Sequence, residues 1–90
     1  MDTRQLLLHL ETSFESYAGE APVRDVVLAG LRYPTGDYWV GLALTWLEQG
    51  AGRDREIVER LSEIASASRQ YEQRIRHRAS RLTKSLNSQN

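Results

Sequence analysis

The feature that most limits how this chain can fold is an apolar stretch, 37–50, that holds both tryptophans. It begins with Asp37, a residue that caps helices well, and ends with Gly50, a residue that stops them. Between these two residues, apolar side chains fall on nearly every side of a helix. Because a helix that is apolar all round has to be buried all round, we expect 37–49 to be the central helix of a small bundle.

Two further stretches before it show helical periodicity. The first, 3–17, carries one apolar stripe, and Leu8 falls outside that stripe. The second, 22–31, is short and rich in valine, so packing has to hold it in a helix. The stripe of the first helix consists of Leu6, Leu7, Leu10, Phe14 and Tyr17.

The last stretch, 54–86, contains no proline or glycine and is long enough for a helix of about 50 Å. The short helices cannot cover such a helix. Either it breaks near 65–68, or its second half projects and pairs with another chain. We favour a continuous helix and a homodimer. The sequence thus predicts an all-α four-helix bundle, three short helices plus a long Arg-rich C-terminal helix, in one domain over 1–86, with 87–90 as a frayed tail.

The net charge of zero hides a split between the two ends of the chain. Residues 1–68 carry a net charge of −5, and residues 69–90 carry +5. The second value is the sum of Glu72 and six basic residues: Arg69, Arg74, Arg76, Arg78, Arg81 and Lys84. Two kinds of partner match these charges: Glu56, Glu59 and Glu63 of a second copy in an antiparallel dimer, which we favour, or an external polyanion. Nucleic acid is the main external candidate, followed by an acidic protein.

The residues that usually carry chemistry are sparse. The chain has no cysteine, and its two histidines, His9 and His77, are far apart in sequence, so we expect no metal site. Glutamates four residues apart occur twice, but each pair lies on the solvent side of its helix. No nucleophile motif or phosphate-binding glycine loop is present. We therefore expect a protein that is not an enzyme and needs no cofactor.

The apolar run at 6–10 is too short to cross a membrane, which takes roughly 20 apolar residues. It also lacks the basic start and small-residue cleavage site of a secretory signal. We expect no membrane association and a cytoplasmic location.

The sequence favours a non-catalytic helical protein–protein interaction module that self-associates through the long C-terminal helix. The alternative is a nucleic-acid-associated protein that uses the basic residues at 69–84. Tyr33 and Tyr38 lie close to the two tryptophans, and any of these rings that stays exposed would be an interface hot spot. A glycine inside a helix suggests close approach of a neighbouring backbone, which we expect at Gly41. The interface candidates are Trp39, Gly41, Trp46, Tyr71, Ile75 and Leu82.

Overall fold

The computed structural model of the protein describes residues 3–34, 37–51, 54–67 and 69–87. Within these ranges the chain forms five α-helices and one 3₁₀ turn, with no strand. The helices are α1 (Thr3–His9), α2 (Val23–Leu31), α3 (Tyr38–Glu48), α4 (Arg55–Ser66) and α5 (Gln73–Asn87), and the 3₁₀ turn is Phe14–Ser16. The prediction of a small all-α fold is confirmed. Each end of α2 and α3 lies within one residue of its predicted position.

The helices pack mainly as sequence neighbours. Helix α3 lies on α2, α2 also contacts α1, and α5 lies on α4. Contacts of α3 with α5 and of α2 with α4 join these groups into a body of 32 × 32 × 18 Å. One apolar core runs through all five helices. Its largest fully buried side chains are Leu10, Val26, Val27, Leu31, Val40, Leu44, Trp46, Ile57, Leu61 and Ile64.

Helix α3 ends at Glu48, two residues before Gly50, the residue that the sequence predicts as its stop. Gly50 has a φ of 105°, a left-handed conformation that glycine adopts without the strain a Cβ would cause. Its N–H donates to the carbonyl of Leu47 at 3.1 Å, and the N–H of Ala51 donates to that of Trp46 at 3.0 Å. Together with the N–H of Gln49, these two N–H groups satisfy the last carbonyls of the helix. At the other end Asp37 occupies the N-cap position, but its side chain accepts no capping hydrogen bond.

The first helix is shorter than the predicted 3–17. Helix α1 ends at His9, and the chain forms the 3₁₀ turn Phe14–Ser16 before α2. The hydroxyl of Thr12 donates to the His9 carbonyl at 2.8 Å, and the indole Nε1 of Trp46 donates to the Thr12 carbonyl at 2.9 Å. These bonds replace the helical ones, so tertiary contact with α3 ends the helix early.

The stretch 54–86 corrects the expectation of one continuous helix, because it forms α4 and α5 with a turn between them. Ala67 leaves the helical region with φ −89° and ψ 71°, close to the site where the sequence allowed a break. The hydroxyl of Tyr71 accepts a hydrogen bond from Arg60 at 2.9 Å, and the same guanidinium donates to the Leu31 carbonyl at 2.9 Å. Arg60 therefore ties the turn to α2.

Folding back lets the two halves of the C-terminal apolar stripe cover each other. Ile57, Leu61 and Ile64 of α4 are completely buried, and Ala79 of α5 is as well. Burial of apolar surface contributes about 25 cal/mol per Å², so this hairpin is strongly favoured over a helix that projects into water. The predicted frayed tail, apart from Asn87 at the end of α5, lies outside the described residues.

Candidate functional site

Four of the six predicted interface residues lie inside the core of one chain. Tyr71 and Ile75 are each 5% exposed, Leu82 is 9% exposed, and Trp46 is 1% exposed. The first three pack within the α4–α5 hairpin, and Trp46 contacts the rings of Phe14 and Tyr17 at centroid distances of 5.6 and 5.2 Å. The apolar stripe of the C-terminal half is therefore not a free surface for a second chain.

Gly41 is not the point of closest helix approach. A Cβ built on Gly41 would lie 3.8 Å from Cδ1 of Ile75, which is an ordinary contact. The close approach occurs at Gly30 instead, where a Cβ would lie 2.9 Å from Cβ of Ala43 and 2.9 Å from the carbonyl oxygen of Trp39. Gly30 thus sets the spacing of α2 and α3.

Trp39 is a predicted interface residue that remains half-buried, as Gly41 does. It belongs to a group that we call the aromatic surface: Leu8, Tyr33, Tyr38 and Trp39. The ring of Trp39 meets Tyr38 edge to face at a centroid distance of 4.9 Å and Tyr33 at 6.3 Å. Leu8 is 52% exposed and Tyr38 is 59% exposed, whereas Trp39 and Tyr33 are half-buried. Its composition predicted that helix α3 is buried on every side. This prediction is wrong, because one side of the helix is exposed at Tyr38.

Two depressions adjoin the aromatic surface, and Tyr33 lines both of them. One, of about 410 Å³, is lined by Leu8, Trp39 and Tyr33 together with Arg4 and Leu7. The other has a volume of about 420 Å³. Its lining combines apolar and charged side chains: Leu6, Arg24, Asp25, Leu28, Ala29, Arg32, Tyr33, Pro34 and Glu56. Tyr33 lines both depressions, so the two are adjacent at this ring.

The phenol of Tyr38 is held by a carboxylate. Its Oη donates to Oε2 of Glu11 at 2.7 Å. This hydrogen bond is the main reason that the pKa of Tyr38 is raised above its usual value, and partial desolvation and the negative charge of Glu11 raise it further. The bond fixes the orientation of an otherwise exposed ring, which lowers the entropy that binding through this ring would cost.

Four of the six predicted basic residues share one side of α5, and the other two lie apart from them. Arg74, Arg78, Arg81 and Lys84 follow each other at spacings of four, three and three, so they share one side of α5, which we call the basic face. Arg76 is on another side, where its Nε donates to the Tyr71 carbonyl at 3.3 Å. Arg69 is exposed in the turn before α5.

Arg78 also anchors α5 to α3. Its guanidinium donates to both carboxylate oxygens of Glu48, at 3.1 and 2.8 Å, and to the hydroxyl of Thr45 at 2.9 Å. A longer bond of 3.3 Å reaches the carbonyl of Gly41. Since Arg78 is only 24% exposed, this residue has mainly a structural role.

The acidic residues that we expected to match the basic face pair elsewhere. Glu56 binds Arg24 and Arg32, and the other two pair within their own helix, Glu59 with Arg55 and Glu63 with Arg60. Arg24 also donates to Asp54 at 2.8 Å, and this bond is the largest of the effects that raise its pKa. The acidic side of α4 is thus neutralised within the chain.

The described residues contain no group of three or more His, Cys, Asp or Glu side chains placed to hold a metal ion. None of the described helices has the length and apolar character needed to cross a bilayer. The cytoplasmic location stays a prediction.

The chain matches no protein-family model, and no significant match was found among curated proteins or solved structures.

Sequence reasoning placed Leu8 outside the buried stripe of the first helix but did not connect it to Trp39. An exposed leucine among polar residues is a weak signal by itself, because single apolar side chains on a surface are common. Leu8 becomes significant because it lines the same depression as Trp39.

Proposed function

We propose that this chain is a non-catalytic protein–protein interaction module whose aromatic surface binds a second copy of the same chain. One observation carries the proposal: of the large apolar residues that the described part of the chain exposes, Leu8 lines one depression with Trp39, and Tyr38 meets the Trp39 ring edge to face. Tyrosine and tryptophan are enriched in interface hot spots, and a cluster of them is a better candidate than scattered apolar side chains.

A second copy of the chain is the partner that the chemistry of the aromatic surface favours. The protein has 90 residues and no cysteine, and small domains of this kind often gain stability from a second subunit. Its net charge of zero means that two copies do not repel each other. A two-fold interface brings the same patch of both copies together, so one aromatic surface suffices. This arrangement replaces self-association through the C-terminal helix, whose stripe is internal.

The non-catalytic part of the proposal is supported by the ion pairs beside the second depression. Arg24, which lines it, is bound by Asp54 and by Glu56. All three of its side-chain nitrogens donate within the chain, which favours a role in packing α2 on α4 over one in holding a substrate.

Sedimentation equilibrium of the wild type and of Leu8→Glu tests the proposal. The weight-average mass of the wild type should rise with protein concentration. Leu8→Glu places a carboxylate in an apolar contact, and close to its own symmetry mate, so it should raise the dimer Kd at least about tenfold, or about 1.4 kcal/mol.

Ser62→Glu is the matched control, because it adds the same charge at an exposed position of α4. It should dimerise as the wild type does. A wild type that stays monomeric at every concentration would refute self-association, and so would a Leu8→Glu variant that dimerises as tightly as the wild type.

A further inference from the structure

The basic face of α5 is a second surface, and its chemistry differs from that of the aromatic surface. Residues 73–87 contain five basic residues and no acidic one. Four of them, Arg74, Arg78, Arg81 and Lys84, make up the basic face. At 1.5 Å per residue this face extends about 15 Å along the helix.

The orientation of α5 is fixed by its opposite side. Ile75 and Ala79 are buried in the core, and Leu82 is nearly so. Rotation of the helix would expose these residues to water, so the basic side chains stay directed outwards. The buried side is also unavailable for insertion into a lipid surface, which amphipathic membrane helices achieve with their apolar side.

The positive charge of the basic face is largely unmatched within the described part of the chain. Arg78 is paired with Glu48, but no described carboxylate lies within ion-pair distance of Arg74, Arg81 or Lys84. Arg81 shares a depression with Glu48, whose two oxygens are already bound by Arg78. Three exposed cations therefore remain on one side of a rigid helix.

We propose that the basic face binds the phosphate backbone of double-helical nucleic acid without regard to sequence. Arginine suits this role because its guanidinium can form two parallel hydrogen bonds to one phosphate. Neutralising phosphates releases the counterions condensed on the duplex, so charge alone supplies binding energy.

The other residues on this side of α5 argue against a protein partner and against single-stranded nucleic acid. The outward side of α5 also carries Gln73, His77 and Ser80, and it offers no apolar side chain for the desolvated centre that protein interfaces need. It offers no aromatic ring on which unpaired bases could stack, which single-strand binding uses. Phosphates on a regular duplex require neither.

Salt dependence gives the sharpest test, because each neutralised phosphate contributes about −0.9 to the slope of log K against log salt. Three contacts predict a slope of about −2.7, or a loss of affinity of about 40-fold between about 50 and 200 mM salt. The variant Arg74→Gln/Arg81→Gln should have a shallower slope of about −0.9, and its loss of affinity over the same salt range should fall to about 3.5-fold. The probe is a short mixed-sequence DNA duplex, and fluorescence anisotropy of the labelled duplex measures its binding to the protein.

Arg32→Gln/Arg55→Gln is the matched control, since it removes two positive charges from exposed side chains elsewhere. It should keep the wild-type slope, and so should Arg74→Lys/Arg81→Lys. Leu8→Glu should also bind the duplex normally, which separates this proposal from self-association through the aromatic surface. Circular dichroism checks that every variant is folded.

Three results would overturn the proposal. One is the absence of duplex binding by the wild type at low salt, and another is an equal slope for the wild type and the Arg74→Gln/Arg81→Gln variant. The third is binding only to vesicles of phosphatidylserine and phosphatidylcholine in equal parts, or only to polyglutamate, which would assign the basic face to a membrane surface or to an acidic protein.

Discussion

The contact at Gly30 gives a quantitative prediction, because this glycine sets the spacing of α2 and α3. In Gly30→Ala the new Cβ would lie 2.6 Å from Cδ1 of Leu10 and 2.9 Å from both Cβ of Ala43 and the carbonyl oxygen of Trp39. The leucine methyl can rotate away. The other two atoms belong to the backbone or are fixed to it, so the two helices have to move apart.

The size of the effect follows from two opposing contributions. Overpacking of a well-packed core costs about 1–3 kcal/mol. Replacing glycine by alanine in a helix returns at most about 1 kcal/mol, and less near the helix end where Gly30 lies. We expect Gly30→Ala to lower the free energy of unfolding by about 1–2 kcal/mol, and Tm by about 5–15 °C for a domain of this size.

Gly41→Ala is the matched control, because it makes the same change inside the neighbouring helix. Its Cβ would lie 3.8 Å from Ile75 and 3.9 Å from Arg78, so the gain in helix propensity should raise stability by about 0.5–1 kcal/mol. Urea unfolding, followed by circular dichroism and tryptophan fluorescence, measures both variants. A Gly30→Ala protein at least as stable as the wild type would refute the reasoning, and so would destabilisation by Gly41→Ala.

Two further predictions concern side-chain hydrogen bonds. Arg78→Ala should lower the free energy of unfolding by about 1–3 kcal/mol in urea titrations. The change removes the hydrogen bonds to Glu48 and Thr45 and leaves these two α3 side chains without their donor. Glu11→Gln should move the ionisation of Tyr38 to lower pH, because the carboxylate raises the pKa of that phenol. A raised folded-state pKa stabilises the fold below the unfolded-state pKa of about 10, and this stabilisation is lost as pH rises through the folded-state value.

Each of these predictions has its own control. Arg81→Gln changes an exposed residue of the same helix and should stay within about 0.5 kcal/mol of the wild type. An Arg78→Ala protein with wild-type stability would contradict the anchoring role. The phenolate absorbance of Tyr38 is obtained by subtracting the titration of Tyr38→Phe, made in each background. An unchanged midpoint in Glu11→Gln would show that the hydrogen bond to Glu11 does not control this pKa.

Local pattern was sufficient to predict α2, α3 and the end of α3 just before Gly50, because helix periodicity and terminating residues act over a few residues. It was not sufficient for the end of α1, which depends on the indole of Trp46 reaching the Thr12 carbonyl across 34 positions. The turn at Ala67 was ambiguous for a related reason. A projecting helix and a hairpin require the same apolar stripe, and the choice depends on contacts such as Arg60 with Tyr71.

The chemical character of the candidate surfaces was predictable from the sequence, but their position on the fold was not. The excess of positive charge near the C-terminal end is visible in the sequence, yet its division into a basic face and two separate arginines depends on where α5 begins. The aromatic residues near Trp39 were recognised as a cluster. Which of them are exposed depends on how α1 and α2 cover α3, and that coverage left Tyr38 outside and Trp46 inside.

The fold-back at Ala67 also has a consequence for how the protein folds. Because α4 and α5 are joined by only a few residues, as α2 and α3 are, most of the native contacts close short loops. The entropy lost in loop closure grows with loop length, and helical domains with such local contacts fold within about microseconds to milliseconds. In a single extended helix, burial of the second half would have required association with another molecule. The hairpin makes the burial of that half a fast event whose rate does not depend on concentration.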